Sequence, residues 1–215
     1  MKRLLCLVVC IIAMVGAVQT SHAAPINYFA NLDGPSEDPA NASPGIGTAQ
    51  VIFDLGAHFM EVDVAFSGLL GNTTASHIHS ATAVPGIGNA GVATQVPTFV
   101  GFPLGVTSGT YHQTFDTLLA STWNPSFVSA HGGTPAGAEA FLAASLAAGT
   151  AYLNIHTVQF PGGEIRGFLS ALSRRFSHLT WPDPTLSAPR CSVPDTLTDT
   201  RNSDPRFYLT GRTIE

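Results

Sequence analysis

The sequence predicts an all-β domain of about eight antiparallel strands, arranged as a Greek-key sandwich or barrel with one short helix before the penultimate strand. Three observations carry that expectation. Charged residues make up only 11% of the chain, while 21 glycines and 15 prolines punctuate it at short intervals. Such spacing suits short strands and turns, not long helices. Between the turns, apolar and polar residues alternate, the period of a half-buried strand. The stretch 152–167, YLNIHTVQFPGGEIRG, then reads as a complete β-hairpin. Its first arm is β-prone, Pro161-Gly162-Gly163 forces a reversal, and the second arm alternates from Glu164 to Leu169.

Residues 1–24 read as a secretory signal peptide. Lys2 and Arg3 form the basic start, 4–18 the apolar stretch, and Ser21, Ala23 and Ala24 the small-residue approach to the cut. The expected destination is secreted or periplasmic. Cys6 and Cys10 leave with this segment, so the mature chain keeps Cys191 alone and forms no internal disulfide. With 45% apolar residues in 215, the core must suffice, and it has the material to do so.

The first strand is expected over 26–32, followed by the polar, proline-bearing loop 33–43. A second strand covers 47–54 and a third 58–68. In the third, Phe59, Val62, Val64 and Phe66 face inward, with a phase slip near Met60 that reads as a bulge. A fourth strand covers 73–79. Gly86, Gly88 and Gly91 mark a loop, and 92–100 reads as a fifth strand confined to an edge by Pro97. A sixth covers 107–117. Thr134 and Pro135 open the helix 136–148 as cap and first helical residue, and Gly149 ends it. The hairpin supplies the last two strands. Residues 173–215 lack periodicity and carry scattered prolines and charges, so they are expected to be a disordered tail.

Charge excludes some partners. Between residues 25 and 170 there are nine acidic residues against Arg166 alone. That body offers no basic surface for nucleic acid or anionic lipid. No run in the mature chain has the ~20 apolar residues of a membrane span. A region that keeps a single cation uses it, and Glu164 and Arg166, two apart on one arm, are expected to form a structural ion pair.

Ser76-His77-Ile78-His79-Ser80 is the second conspicuous feature. Residues two apart on a strand share a face, so His77 and His79 point the same way, ~7 Å apart at the backbone. Two imidazoles so placed can hold a transition metal, and Cu(II) or Zn(II) suits nitrogen donors. His156 is the natural third ligand, with His112 and His131 as less favoured candidates. The competing reading makes these histidines hydrogen-bonding anchors for a loop. No nucleophile elbow or phosphate-binding loop occurs. Glu61 and Asp63 read as an exposed acidic face. Asn41 and Asn72 open glycosylation sequons.

Three segments together resemble the CHRD domain, the repeated module of chordin that also occurs singly in bacterial secreted proteins. Leu32-Asp33-Gly34-Pro35-Ser36-Glu37-Asp38-Pro39 with Gly45 and Gly47-Thr48-Ala49 is similar to the family's opening. Phe66-Ser67-Gly68-Leu69 followed by Ala75-Ser76-His77-Ile78-His79 is similar to its central block. Asn154-Ile155-His156-Thr157 with Pro161-Gly162-Gly163-Glu164-Ile165-Arg166-Gly167 is similar to its terminal signature. The resemblance covers residues 25–172. Ser80 and Ala81 stand where a glycine or proline is usual, and 121–133 reads as an insertion. It implies an extracellular binding or structural module without catalysis of its own, acting on a protein or glycan partner. A carbohydrate adhesin would need an aromatic platform from Trp123, Tyr28, Tyr111 and Tyr152.

More distantly, the chain resembles copper–zinc superoxide dismutase, an eight-stranded Greek-key barrel with an H-x-H pair on one strand. That resemblance implies a copper site on His77, His79 and His156. The bridging histidine, the zinc ligands and the disulfide of that enzyme have no counterpart here.

Overall fold

The computed structural model describes residues 24–171. The expected tail, 173–215, and all of the expected signal peptide but its last residue lie outside them. Eight strands form one curled antiparallel sheet: β1 (Ile26–Asp33), β2 (Ile46–Asp54), β3 (Phe59–Ser67), β4 (Thr73–His79), β5 (Gly109–Asp116), β6 (Tyr152–Thr157), β7 (Ile165–Phe168) and β8 (Ser170–Ala171). The sheet order is β4-β6-β7-β1-β2-β3-β5, and β8 adds to β1. Strands β1 to β3 form a meander. The chain then crosses to the far edge for β4, returns for β5, and enters the middle with the β6–β7 hairpin. Curling brings the two edges together. The stretch before β5 meets the start of β4 through Thr73 N–H to Val106 O at 2.9 Å and Gly105 N–H to Thr73 O at 2.9 Å.

One face of each of β1, β2 and β3 fills the core. Tyr28 and Leu32, Val51 and Phe53, and Met60, Val62, Val64 and Phe66 are buried in strict alternation. In β3 the inward residue is Met60, not Phe59, and pairing with β2 and β5 runs unbroken through it. Counting from Met60 removes the phase slip, so the expected bulge is absent. A register shift does occur in β4, between Thr73 and Ala75.

Two helices close one end, α1 (Pro125–Ala130) and α2 (Pro135–Ala148). The α2 boundaries follow its signals. Thr134 Oγ1 accepts from Gly137 N–H at 3.2 Å, Pro135 is the first helical residue, and Gly149 ends the helix with φ of 69°. Ala138, Leu142 and Leu146 face the core. The expected insertion contributes α1, whose cap Asn124 accepts from Ser126 N–H at 3.0 Å.

The strand expected over 92–100 does not form. Proline at 97 removes a ladder donor, and the segment follows the β4 edge through isolated backbone bonds, Ala93 N–H to Ile78 O at 2.9 Å and Phe99 N–H to Ser76 O at 3.2 Å, together with side-chain bonds. Thr94 and Thr98 hydroxyls accept from the N–H groups of Ile78 and Ser76, each at 3.0 Å. Pro97 and Ala90 are thereby laid beside β4, which matters for the site.

Candidate metal centre

Strands β4 and β6 pair with His77 opposite Asn154, His79 opposite Tyr152 and Ala75 opposite His156. Ile78, Leu153 and Ile155 point into the core. The alternate residues, His77, His79, Tyr152, Asn154 and His156, therefore share the opposite face. Ring centroids lie 5.8 Å apart for His77 and His79, 5.2 Å for His77 and His156, and 6.0 Å for His79 and His156. The structure thus brings together the three histidines singled out by the sequence. His112 and His131 lie elsewhere. The first pairs with Asp63, and the second stacks on Phe141 at the end of α1.

Each imidazole spends one nitrogen on a backbone carbonyl. His77 Nε2 donates to Pro97 O at 2.7 Å, His79 Nδ1 to Ala90 O at 2.8 Å, and His156 Nδ1 to Pro161 O at 2.8 Å. A carbonyl oxygen only accepts, so those nitrogens carry the protons and the tautomers are fixed. The remaining nitrogens, His77 Nδ1, His79 Nε2 and His156 Nε2, keep their lone pairs. All three are buried without a hydrogen-bond partner among the described residues. One nitrogen from each ring forms a group whose members lie within 4.8 Å of one another. A metal with bonds of about 2.0–2.1 Å would hold such nitrogens roughly 3.4 Å apart, so each ring would advance by less than about 1 Å. The residues present fit the metal that the sequence suggested.

Burial also keeps these rings neutral. It pushes His77 and His79 down to about 4, outweighing the hydrogen bonds to Pro97 and Ala90 that act the other way. Burial lowers His156 as well. Neutral imidazole is the form that binds metal. A second grouping, Glu61, Asp63 and His112, sits on the solvent side of β3 and β5. There His112 and Asp63 already satisfy each other at 2.7 Å. Stray lone pairs converge only at the first cluster among the described residues.

The expected ion pair is replaced by two separate arrangements. Arg166 is 3% exposed and its nearest carboxylate is Glu37, at 3.8 Å. Its closer partners are the oxygens of Ser36, Gly88 (3.1 Å) and Asn89 (2.9 Å), and its guanidinium lies 4.8 Å from the Tyr152 ring centre. Tyr152 in turn stacks on His79 with centroids 4.8 Å apart. Arg166 therefore ties the loops 34–38 and 86–90 to the histidine face. Glu164 is fully buried and bound elsewhere. It accepts from Ser43 Oγ (2.6 Å), Thr157 Oγ1 (2.7 Å), Leu70 N–H (2.5 Å) and Gly71 N–H (3.1 Å). The pair separates because Glu164 precedes β7, beyond the turn glycine Gly163 with φ of 136°, while Arg166 lies within the strand beside Asn154 and Asp33.

Desolvation alone would raise the Glu164 pKa, but the bonds from Ser43, Thr157, Leu70 and Gly71 together hold it below the ordinary carboxylate value. Glutamine at 164 would turn an amide N–H₂ toward these donors. We expect Glu164→Gln to cost about 2–3 kcal/mol at pH 7, with the difference from wild type shrinking as the pH falls through the carboxyl's lowered pKa. Urea midpoints at pH 7 and pH 3 measure both statements.

The sequence assigns no role at this site to Glu37 or Asn154, and it offers Tyr152 only as an aromatic-platform candidate. Asn154 had a signal, since it shares the strand phase of His156. Glu37 had none locally. Among the described residues, Trp123, Tyr28, Tyr111 and Tyr152 are all buried and present no exposed aromatic platform. The Asn41 amide donates to Glu164 O at 3.0 Å, pinning the opening loop to the hairpin.

A curled antiparallel sheet with a histidine-bearing hairpin and loops strapped over one face defines a small all-β module. The chain belongs to the CHRD family, whose domain matches residues 28–169. This is an extracellular type of domain. No curated protein and no solved structure matches the chain. Among the described residues no helix is long and apolar enough to cross a membrane.

Proposed function

We propose that the domain is a secreted binding module, without catalysis of its own, that holds one transition-metal ion on His77, His79 and His156. The observation that supports this is the convergence of three imidazole lone pairs, each left over after the other ring nitrogen has bonded a carbonyl. Carbonyl bonds of this kind orient histidine ligands and raise their basicity. Neutral nitrogen donors favour copper or zinc, with Cu(II) the tighter by the general order of divalent affinities. The three donor nitrogens are buried, which suits a closed, structural site over one with an open position for a substrate. The ion would fasten the hairpin tip and the 90–97 segment to the sheet. That would stabilise a surface for an extracellular protein or glycan partner.

Calorimetric titration of the purified, chelator-stripped protein with Cu(II) and Zn(II) tests the reading. Stoichiometric binding with a Kd of about 1 μM or tighter is expected. The His77→Ala/His79→Ala variant should lose it. The melting temperature should rise with metal in the wild type only. Absent or unchanged binding would reduce the histidines to loop anchors.

A further inference from the structure

We infer that Asn154 supplies a fourth donor to this centre, through its side-chain oxygen; the inference rests on the three-histidine reading. Asn154 lies directly opposite His77 in the β4–β6 ladder, two residues before His156 and two after Tyr152 on the same face. Its side chain reaches His79. It is 2% exposed, and Oδ1 is buried without a hydrogen-bond partner among the described residues.

A strand interior disfavours asparagine, which fits a pleated, half-buried surface poorly. Its core-facing neighbours Leu153 and Ile155 are the residues such a strand prefers. A buried oxygen without a donor costs about 1–3 kcal/mol. The neighbouring groups cannot relieve it. The N–H groups of His77, His79 and His156 are committed to Pro97, Ala90 and Pro161. What they turn toward the cluster is lone pairs. Arg166, beside Asn154 on the β7 side, directs its bonds to Ser36, Gly88 and Asn89. The donor left on this face is the Asn154 N–H₂ itself, which lies within reach of His79 but cannot serve all three ring nitrogens and its own oxygen, whereas a cation satisfies all four acceptors at once. Three imidazoles and one amide oxygen complete the four-coordinate, water-free set of a structural site. All four donors are uncharged, so the bound ion keeps its own charge.

Metal affinity and the Cu(II) electron paramagnetic resonance spectrum of the full chain, with Asn154→Leu and Asn154→Asp, test the assignment. Asn154→Leu should weaken binding by about 10–100-fold and alter the spectrum. Asn154→Asp keeps the shape and supplies an anionic oxygen, so it should bind at least as tightly as wild type, with a spectrum shifted by the added charge. Wild-type affinity and an unchanged spectrum in Asn154→Leu would overturn the fourth donor while leaving the histidines standing. That outcome means the amide donates to His79 instead. If circular dichroism shows that the leucine variant does not fold, the aspartate variant decides alone, and an unchanged spectrum there overturns the assignment. No metal binding by the wild type removes both readings.

Discussion

Arg166→Met is expected to destabilise the domain by about 3–5 kcal/mol at pH 8, the range for breaking a buried, hydrogen-bonded charge pair from one side. The methionine keeps much of the contact with Tyr152 and Phe168 and removes the donors. Three oxygens, on Ser36, Gly88 and Asn89, lose their bonds, and the buried Glu37 carboxylate loses the one cation near it among the described residues. Burial already pushes Glu37 up to about 7 against the pull of Arg166. At neutral pH the carboxyl is therefore only partly ionised, which agrees with its loose 3.8 Å contact. Below that pKa it is neutral and needs no counter-charge. The loss caused by Arg166→Met should consequently be smaller at pH 5 than at pH 8. Urea midpoints of wild type and variant at the two pH values give the comparison. An equal loss at both would mean that Arg166 acts through its carbonyl bonds alone. Arg166→Met/Glu37→Gln should recover part of the pH 8 loss, and the double-mutant cycle isolates the pair.

How far the sequence carries depends on whether a signal is local. The H-x-H pair and His156 could be placed on strand faces because a period of two needs only the strand to be right. The same rule places Asn154 with His156. Asparagine beside β-prone residues nevertheless reads as a strand-end polar group, so its type gives no sign of a site. Arg166 stood out as a lone cation, but the nearest acid in sequence was the wrong partner. The real one, Glu37, comes from a loop that reaches the hairpin only through the sheet order, with β1 beside β7. Long-range pairing of this kind leaves no local trace. The α2 helix was legible from its cap, proline and terminal glycine. The same cap-and-proline arrangement, Asn124-Pro125, precedes α1, but six residues are too few to show a helical period. The 92–100 segment misled for the opposite reason. Its composition is that of a strand, yet only isolated backbone bonds, such as those from Ala93 N–H to Ile78 O and from Phe99 N–H to Ser76 O, join it to β4, and threonine hydroxyls take the N–H groups that a continuous ladder would pair.

Acid should unfold the metal-free domain earlier than its carboxylates alone would require. His77 and His79 are neutral in the fold down to about pH 4, while in the unfolded chain each protonates near 6.5. The unfolded state therefore binds more protons throughout that window, and folding stability falls as the pH drops. The contribution is fully present above about 6.5 and gone once the pH has passed the folded value. Each fully shifted imidazole carries up to about 3 kcal/mol, and the two together contribute on the order of 5 kcal/mol, because neighbouring rings repel once one is charged. His156, lowered by the same burial, adds in the same direction. Replacing both strand histidines with glutamine keeps a polar side chain near Pro97 and Ala90 and removes the titration. The His77→Gln/His79→Gln variant should start less stable at pH 8 and lose far less between pH 7 and pH 4, so the two stability curves converge. Bound metal competes with protons for the same lone pairs. In saturating Zn(II) the wild-type curve should therefore stay flat to lower pH than in chelator, whereas the variant should give the same curve in both. Parallel curves for wild type and variant in chelator would show that the histidines titrate alike in folded and unfolded chains. The buried, neutral cluster would then be wrong.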